Sequence, residues 1–155
     1  MPVKPSFKNQ GSRARFFGGI AGIQTSDCID IPARGRLRLT ILNGNHEIRQ
    51  GVDLKVNGGI YLADGSKVDV LRTWNNPRYE DIVEYNFVSS DRKLFVWNVY
   101  EIANATQGVK DVKWTDNAGF WIEEDGQHGR TYHCSAGPCN PPDFDFFVFA
   151  VKLLS

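Results

Sequence analysis

The sequence predicts an all-β protein: a single antiparallel β-sandwich of about ten strands, Greek-key in type, with little helix. Three observations carry that expectation. Apolar and polar residues alternate with period two over many short segments. Asn-Gly and Asp-Gly pairs fall between those segments. No window of eleven or more residues repeats at a helical period, apart from an ambiguous stretch at 77–87.

The elements follow in order. Residues 1–12 read as a loose arm before a domain that fills the rest of the chain. Arg36 to Leu42 places Leu37, Leu39 and Ile41 on one face and Arg36, Arg38 and Thr40 on the other. Val52 to Val56, Lys67 to Leu71, Val83 to Phe87 and Val109 to Trp114 alternate in the same way and read as half-buried strands. Asn43-Gly44, Asn57-Gly58-Gly59, Asp64-Gly65 and Asp125-Gly126 supply the positive φ of tight turns. Leu94 to Tyr100 and Phe144 to Val151 are apolar on both faces and read as central strands covered on both sides. The second of these should tie the C-terminal region into a sheet.

Composition narrows the function. The chain has 155 residues, 41% apolar, 23% charged and 12% aromatic, enough for one core. Eighteen basic residues balance eighteen acidic ones, which gives no electrostatic case for a nucleic-acid partner. No apolar run approaches the ~20 residues of a membrane span. Met1 to Lys8 has basic residues but no apolar core and is not a signal peptide. Either export does not use that route, or an expression methionine has replaced the signal. Asn104-Ala105-Thr106 is an N-glycosylation acceptor and favours a secreted protein.

Cys28, Cys134 and Cys139 are odd in number. Cys134 and Cys139 bracket Ser-Ala-Gly-Pro, a turn that could join them in a disulfide and leave Cys28 free. Cys28 could instead pair with either, or all three could be reduced thiols. His128, His133, Cys134 and Cys139 cluster near Glu123 to Asp125, but the spacing matches no zinc pattern, and adjacent strand residues face opposite ways. Gly18 to Gly22 lacks the ending of a phosphate loop. No metal or cofactor is expected.

The most suggestive surface segment is Arg72 to Asp81, a polar, turn-forming stretch that carries Trp74 and Tyr79. A loop aromatic can stack on the apolar face of a sugar while Asn, Arg and carboxylate groups bond its hydroxyls. Trp74 and Tyr79 are therefore the expected stacking residues, and Asn76, Arg78 and Glu84 the orienting ones. The plainer alternative has these aromatics folding back to cap the sandwich.

The order of segments resembles a trimmed thaumatin-like protein. Cys28 precedes Ile31-Pro32-Ala33-Arg34-Gly35, which looks like that family's Pro-Gly turn before a strand. Val83 to Phe87 is similar to its Ala-Glu-Phe-Thr-Leu strand, and Leu94 to Asn104 to its Tyr-Asp-Val-Ser-x-x-Asp-Gly segment. Cys134 to Asp143 is similar to its late Cys-x-Ala-Gly-x-Cys-Pro stretch. In this alignment Glu84 matches the acidic-cleft glutamate, while the two cleft aspartates fall on Asn98 and Ala103. The resemblance implies binding without glucan hydrolysis. A second resemblance competes: Phe120 to Ser135 looks like one βγ-crystallin Greek-key motif. The expected function is a non-enzymatic, secreted binding or defence protein that recognises a glycan or a cell-wall or cell-surface ligand. The alternatives are a polysaccharide hydrolase with Glu84 as acid/base, and a protein-interaction module such as a protease inhibitor.

Overall fold

The computed structural model describes residues 14–17, 20–44, 48–75, 82–104, 108–112, 119–124, 129–135 and 143–154. The elements are β1 (Ala14–Phe17), β2 (Ile20–Gln24), β3 (Asp27–Asp30), β4 (Arg34–Asn43), β5 (Gln50–Tyr61), β6 (Lys67–Trp74), β7 (Ile82–Asn104), β8 (Gly108–Val112), β9 (Gly119–Glu124), β10 (Gly129–Ser135) and β11 (Phe147–Leu153). The all-β expectation holds, and every pairing is antiparallel. The arrangement differs from the expected sandwich of about ten strands. Eleven strands form one continuous sheet in the order β1-β2-β9-β10-β11-β4-β7-β5-β6, with β3 and β8 also paired to β7. No helix among the described residues is long and apolar enough to cross a membrane.

The sheet curls because its longest strands bend at the same level. The segments 83–87 and 94–100 are two parts of a single 23-residue strand, β7. One edge of β7 pairs with β5; the other pairs in turn with β4, β3 and β8. Between Ser89 and Leu94 the chain bulges, with Arg92 at φ 58°. Asp91 locks the bulge by accepting from Asn57 Nδ2 at 2.6 Å, Ser89 Oγ at 3.1 Å and the Lys93 amide at 3.1 Å. Opposite it, Asn57-Gly58-Gly59 is not the turn its residues suggested. It is a bulge inside β5, and glycine is required because φ is 121° and 139°. A Cβ on Gly58 would also meet the Val88 carbonyl oxygen at 2.2 Å. The β3–β4 break lies at the same level, where the Ile31 amide donates to Arg92 O and the Ser89 amide to Ala33 O. By contrast, Asp64-Gly65 is the β5–β6 hairpin turn, with Gly65 at φ 86°.

The concave side is the core. Leu37 and Leu39 of β4, Val52 and Leu54 of β5, and Phe147 and Phe149 of β11 are fully or almost fully buried there. Tyr132 of β10 stacks on Phe149 at 4.7 Å and meets Phe120 of β9 edge-on at 5.2 Å. Each such side chain contributes about 1.5–3 kcal/mol by leaving water. The expected tie of the C-terminal region into a sheet is present, since β11 lies between β10 and β4. Beyond β2 the curl almost meets itself. Gln24 pairs with Phe120 on β9, and three residues later Asp27 pairs with Val96 on β7. One short stretch of chain thus passes from one limb of the sheet to the other, as corner strands do.

Candidate functional site

The convex side of β5, β6 and β7 carries the best-built polar site. Register sets its members. Trp74 lies opposite Gly51, which lies opposite Val99; Arg72 lies opposite Asp53, which lies opposite Trp97. Period-two alternation in Val52 to Val56 read Asp53 as part of a solvated face, but its carboxylate is fully buried. It is held there by a complete set of donors. Arg72 Nε and Nη2 reach its two oxygens at 2.8 and 2.9 Å, and Trp97 Nε1 donates at 2.7 Å. The fork geometry gives two parallel charge-assisted bonds and fixes the guanidinium plane. The Trp97 indole covers the carboxylate from the neighbouring strand.

Trp74 is half-buried at the end of β6. Gly51 leaves room for its indole, since a Cβ there would stand 3.0 Å from Trp74 Cε3. The Arg49 guanidinium lies 4.1 Å over the ring and that of Arg72 lies 5.7 Å from it. Arg49 also pairs with Glu101 at 3.0 Å. The Asn75 amide donates to Gln50 O at 2.7 Å just beyond the end of β6. Asn76, Arg78 and Tyr79 lie outside the described residues.

Glu84 stands elsewhere on the same face. It is opposite Arg38, whose Nε and Nη2 reach Glu84 Oε2 at 3.0 and 2.8 Å, with Arg36 at 3.9 Å. Trp74 is level with Val99, fifteen residues further along β7. Allowing for the bulge, that is roughly 40 Å of strand at ~3.3 Å per residue. Glu84 and Trp74 are therefore at opposite ends of the face.

A second charged cluster lies on the inside. Asp27 accepts from Arg130 Nη1 at 2.7 Å and from the Tyr132 hydroxyl at 2.7 Å, across the gap between β3 and β10. Burial and the adjacent Asp27 charge push the Tyr132 hydroxyl well above its usual range, so it remains a donor. Burial works against the Arg130 charge, but attraction and the hydrogen bond to Asp27 outweigh it and raise its pKa. On the outside of β9 and β10, His133 stacks on Trp121 at 4.0 Å and meets Glu123 at 3.0 Å.

The expected Cys134–Cys139 disulfide is not made, because Cys134 carries a free thiol. Its side chain points into the core, where burial pushes its pKa well up. Cys139 lies outside the described residues. Cys28 is also free, on β3, and burial is the main cause that raises its pKa. Asn104 is the last residue of β7.

Comparison with family models, with curated proteins and with solved structures gives no match. The convex site therefore rests on its own geometry. Reading the sequence found Trp74 but missed Asp53 and Trp97. A buried Asp in an alternating strand looks like a solvated one, and Trp97 sits in a segment apolar enough to read as pure core. The one available signal was the aspartate itself, flanked by valine and leucine in the segment Val52 to Val56, whose other polar residue is the long Lys55.

Proposed function

We infer that this is a non-enzymatic binding protein that takes a glycan, or a glycan-bearing surface, on the convex face of β5, β6 and β7. The observation that carries this reading is the placement of Trp74. Its flat ring stands at a strand end on the outside of the curl, with the half-exposed Arg49 guanidinium lying over one face and an Arg72 that Asp53 holds in one orientation beside it. An indole offers a stacking surface for the apolar face of a pyranose, and neighbouring guanidinium donors suit its hydroxyls. The Asp53–Arg72–Trp97 unit pre-orders the platform, so less side-chain freedom is lost on binding. The chain leaving Trp74 runs directly into Asn76, Arg78 and Tyr79, which the reading assigns to the same ligand. The reading suits a secreted protein glycosylated at Asn104, and the role implied by the thaumatin-like resemblance.

A glycan array probed with the unaltered chain and with Trp74→Ala tests it. The expected outcome is saccharide binding that falls about tenfold or more in the variant, equivalent to ~1.4 kcal/mol or more. Equal binding by both proteins removes Trp74 from the site and overturns the reading.

A further inference from the structure

The end of the convex face away from Trp74 carries a concentration of positive charge that a chain with equal numbers of acidic and basic residues does not need for solubility. Arg34, Arg36 and Arg38 alternate along β4, about 7 Å apart at ~3.4 Å per residue. Their neighbours Leu37 and Leu39 are buried, so all three arginines are turned outward. Register extends the patch across strands. Lys152 of β11 lies directly opposite Arg38. Asn86 of β7 lies opposite Arg36, Tyr61 of β5 opposite Asn86, and Lys67 of β6 opposite Tyr61. The Lys67 stem runs over Gly59, where a Cβ would meet its Cγ at 2.3 Å. Among the described residues of these rows, Glu84 is the one carboxylate; Asp69 stands one pleat further along β6.

Like charges directly opposite each other on adjacent strands are destabilising. Arg38 and Lys152 form such a pair, and Glu84 bonds Arg38 on the far side from Lys152. The exposed patch is therefore held together at a cost that a bound polyanion would remove.

We propose that this patch binds an acidic polysaccharide, one carrying sulfate or carboxylate groups along its length, and so gives the glycan-binding face its selectivity for charge. The proposal deepens the function inferred above and rests on it. Outward arginines at a regular spacing match repeated anionic groups, and the guanidinium fork suits sulfate and carboxylate oxygens. Asn86 and the exposed Tyr61, in the same rows, supply amide and phenol partners for hydroxyls between the charges. Nucleic acid fits less well. The neutral chain lacks the overall positive field such binders use, and Tyr61 is the one aromatic in these rows among the described residues.

The test measures affinity and thermal midpoint for the full chain and for Lys152→Glu and Arg36→Gln, against dextran sulfate, polygalacturonate, uncharged dextran and a single-stranded oligonucleotide. The two acidic polysaccharides should bind, with log affinity falling linearly in log salt and a slope reduced by about one in Arg36→Gln. Lys152→Glu should weaken that binding about tenfold while raising the midpoint of the free protein by about 1–2 °C, because it places a carboxylate opposite Arg38. Opposite signs for binding and stability are something a merely structural lysine would not give. Acidic-polysaccharide binding unchanged in both variants, or uncharged dextran binding as tightly as dextran sulfate, overturns the charge selectivity while leaving the Trp74 reading intact. Tighter binding of the oligonucleotide than of either polysaccharide overturns the ligand class, and binding of no polyanion overturns the proposal outright.

Discussion

Two arginine–carboxylate pairs, one on each side of the sheet, use almost the same bond. Arg130 reaches Asp27 at 2.7 Å inside the curl, and Arg38 reaches Glu84 at 2.8 Å outside it. Their surroundings differ. The Asp27 side chain is 0% exposed and that of Glu84 is 36% exposed. Asp27 also holds the buried Tyr132 hydroxyl, so losing it strands that donor away from water and leaves the 29%-exposed Arg130 without this partner. Glu84 sits among solvated side chains that water can serve in its place. Bond length therefore says little about how much a pair matters; what decides is which groups are left without a partner when it is broken. Asp53 lies between these extremes. It is as buried as Asp27 and its guanidinium partner is about as exposed, 35% against 29% for Arg130, but its other donor belongs to Trp97, which keeps 8% of its surface where Tyr132 keeps none.

That ordering can be broken by measurement. Asp27→Ala should cost about 3–5 kcal/mol in denaturant unfolding, because the Tyr132 hydroxyl stays behind in the interior and the partly buried Arg130 charge loses its counter-ion. Asp53→Ala should cost about 2–3 kcal/mol, most of it from the Trp97 ring nitrogen left without an acceptor. The same variant should weaken saccharide binding at Trp74, since Arg72 loses its anchor. Glu84→Gln should cost less than about 1 kcal/mol, a loss that shrinks further as salt is raised. A Glu84→Gln loss equal to that of Asp27→Ala would end the contrast between the two sides.

The alternation of Leu37, Leu39 and Ile41 with Arg36, Arg38 and Thr40 was legible because period two in a half-buried strand assigns each side chain to a face without knowledge of its neighbours. The double-sided apolar run of Leu94 to Tyr100 was legible for the same reason. The curl was not legible. It depends on two bulges and a strand break, far apart in sequence, falling at one level, and Asn57-Gly58-Gly59 carries the same residues whether it turns a hairpin or bends a strand. The site was half legible. Trp74 stood out as an aromatic in a polar segment. The burial of Asp53 needs Arg72 from one neighbour strand and Trp97 from the other, a coincidence that no local window contains. The expected disulfide failed on a facing argument: Cys134 shares its side of β10 with Tyr132, so its sulfur is committed to the core.

The position of β11 bears on how the chain is made. At its N-terminal side of the sheet, β9 and β10 have β2 and β1 beside them; on the other side stand β4, β7, β5 and β6. Among the described strand pairings β11 alone joins these two groups, and the Asp27 contacts to Arg130 and Tyr132 also cross between them. A ribosome adds about 5–20 residues per second. Before Leu153 is made, the edges of β10 and β4 lack the seven-residue strand that joins them, and unpaired edges of that kind are open to other extended segments.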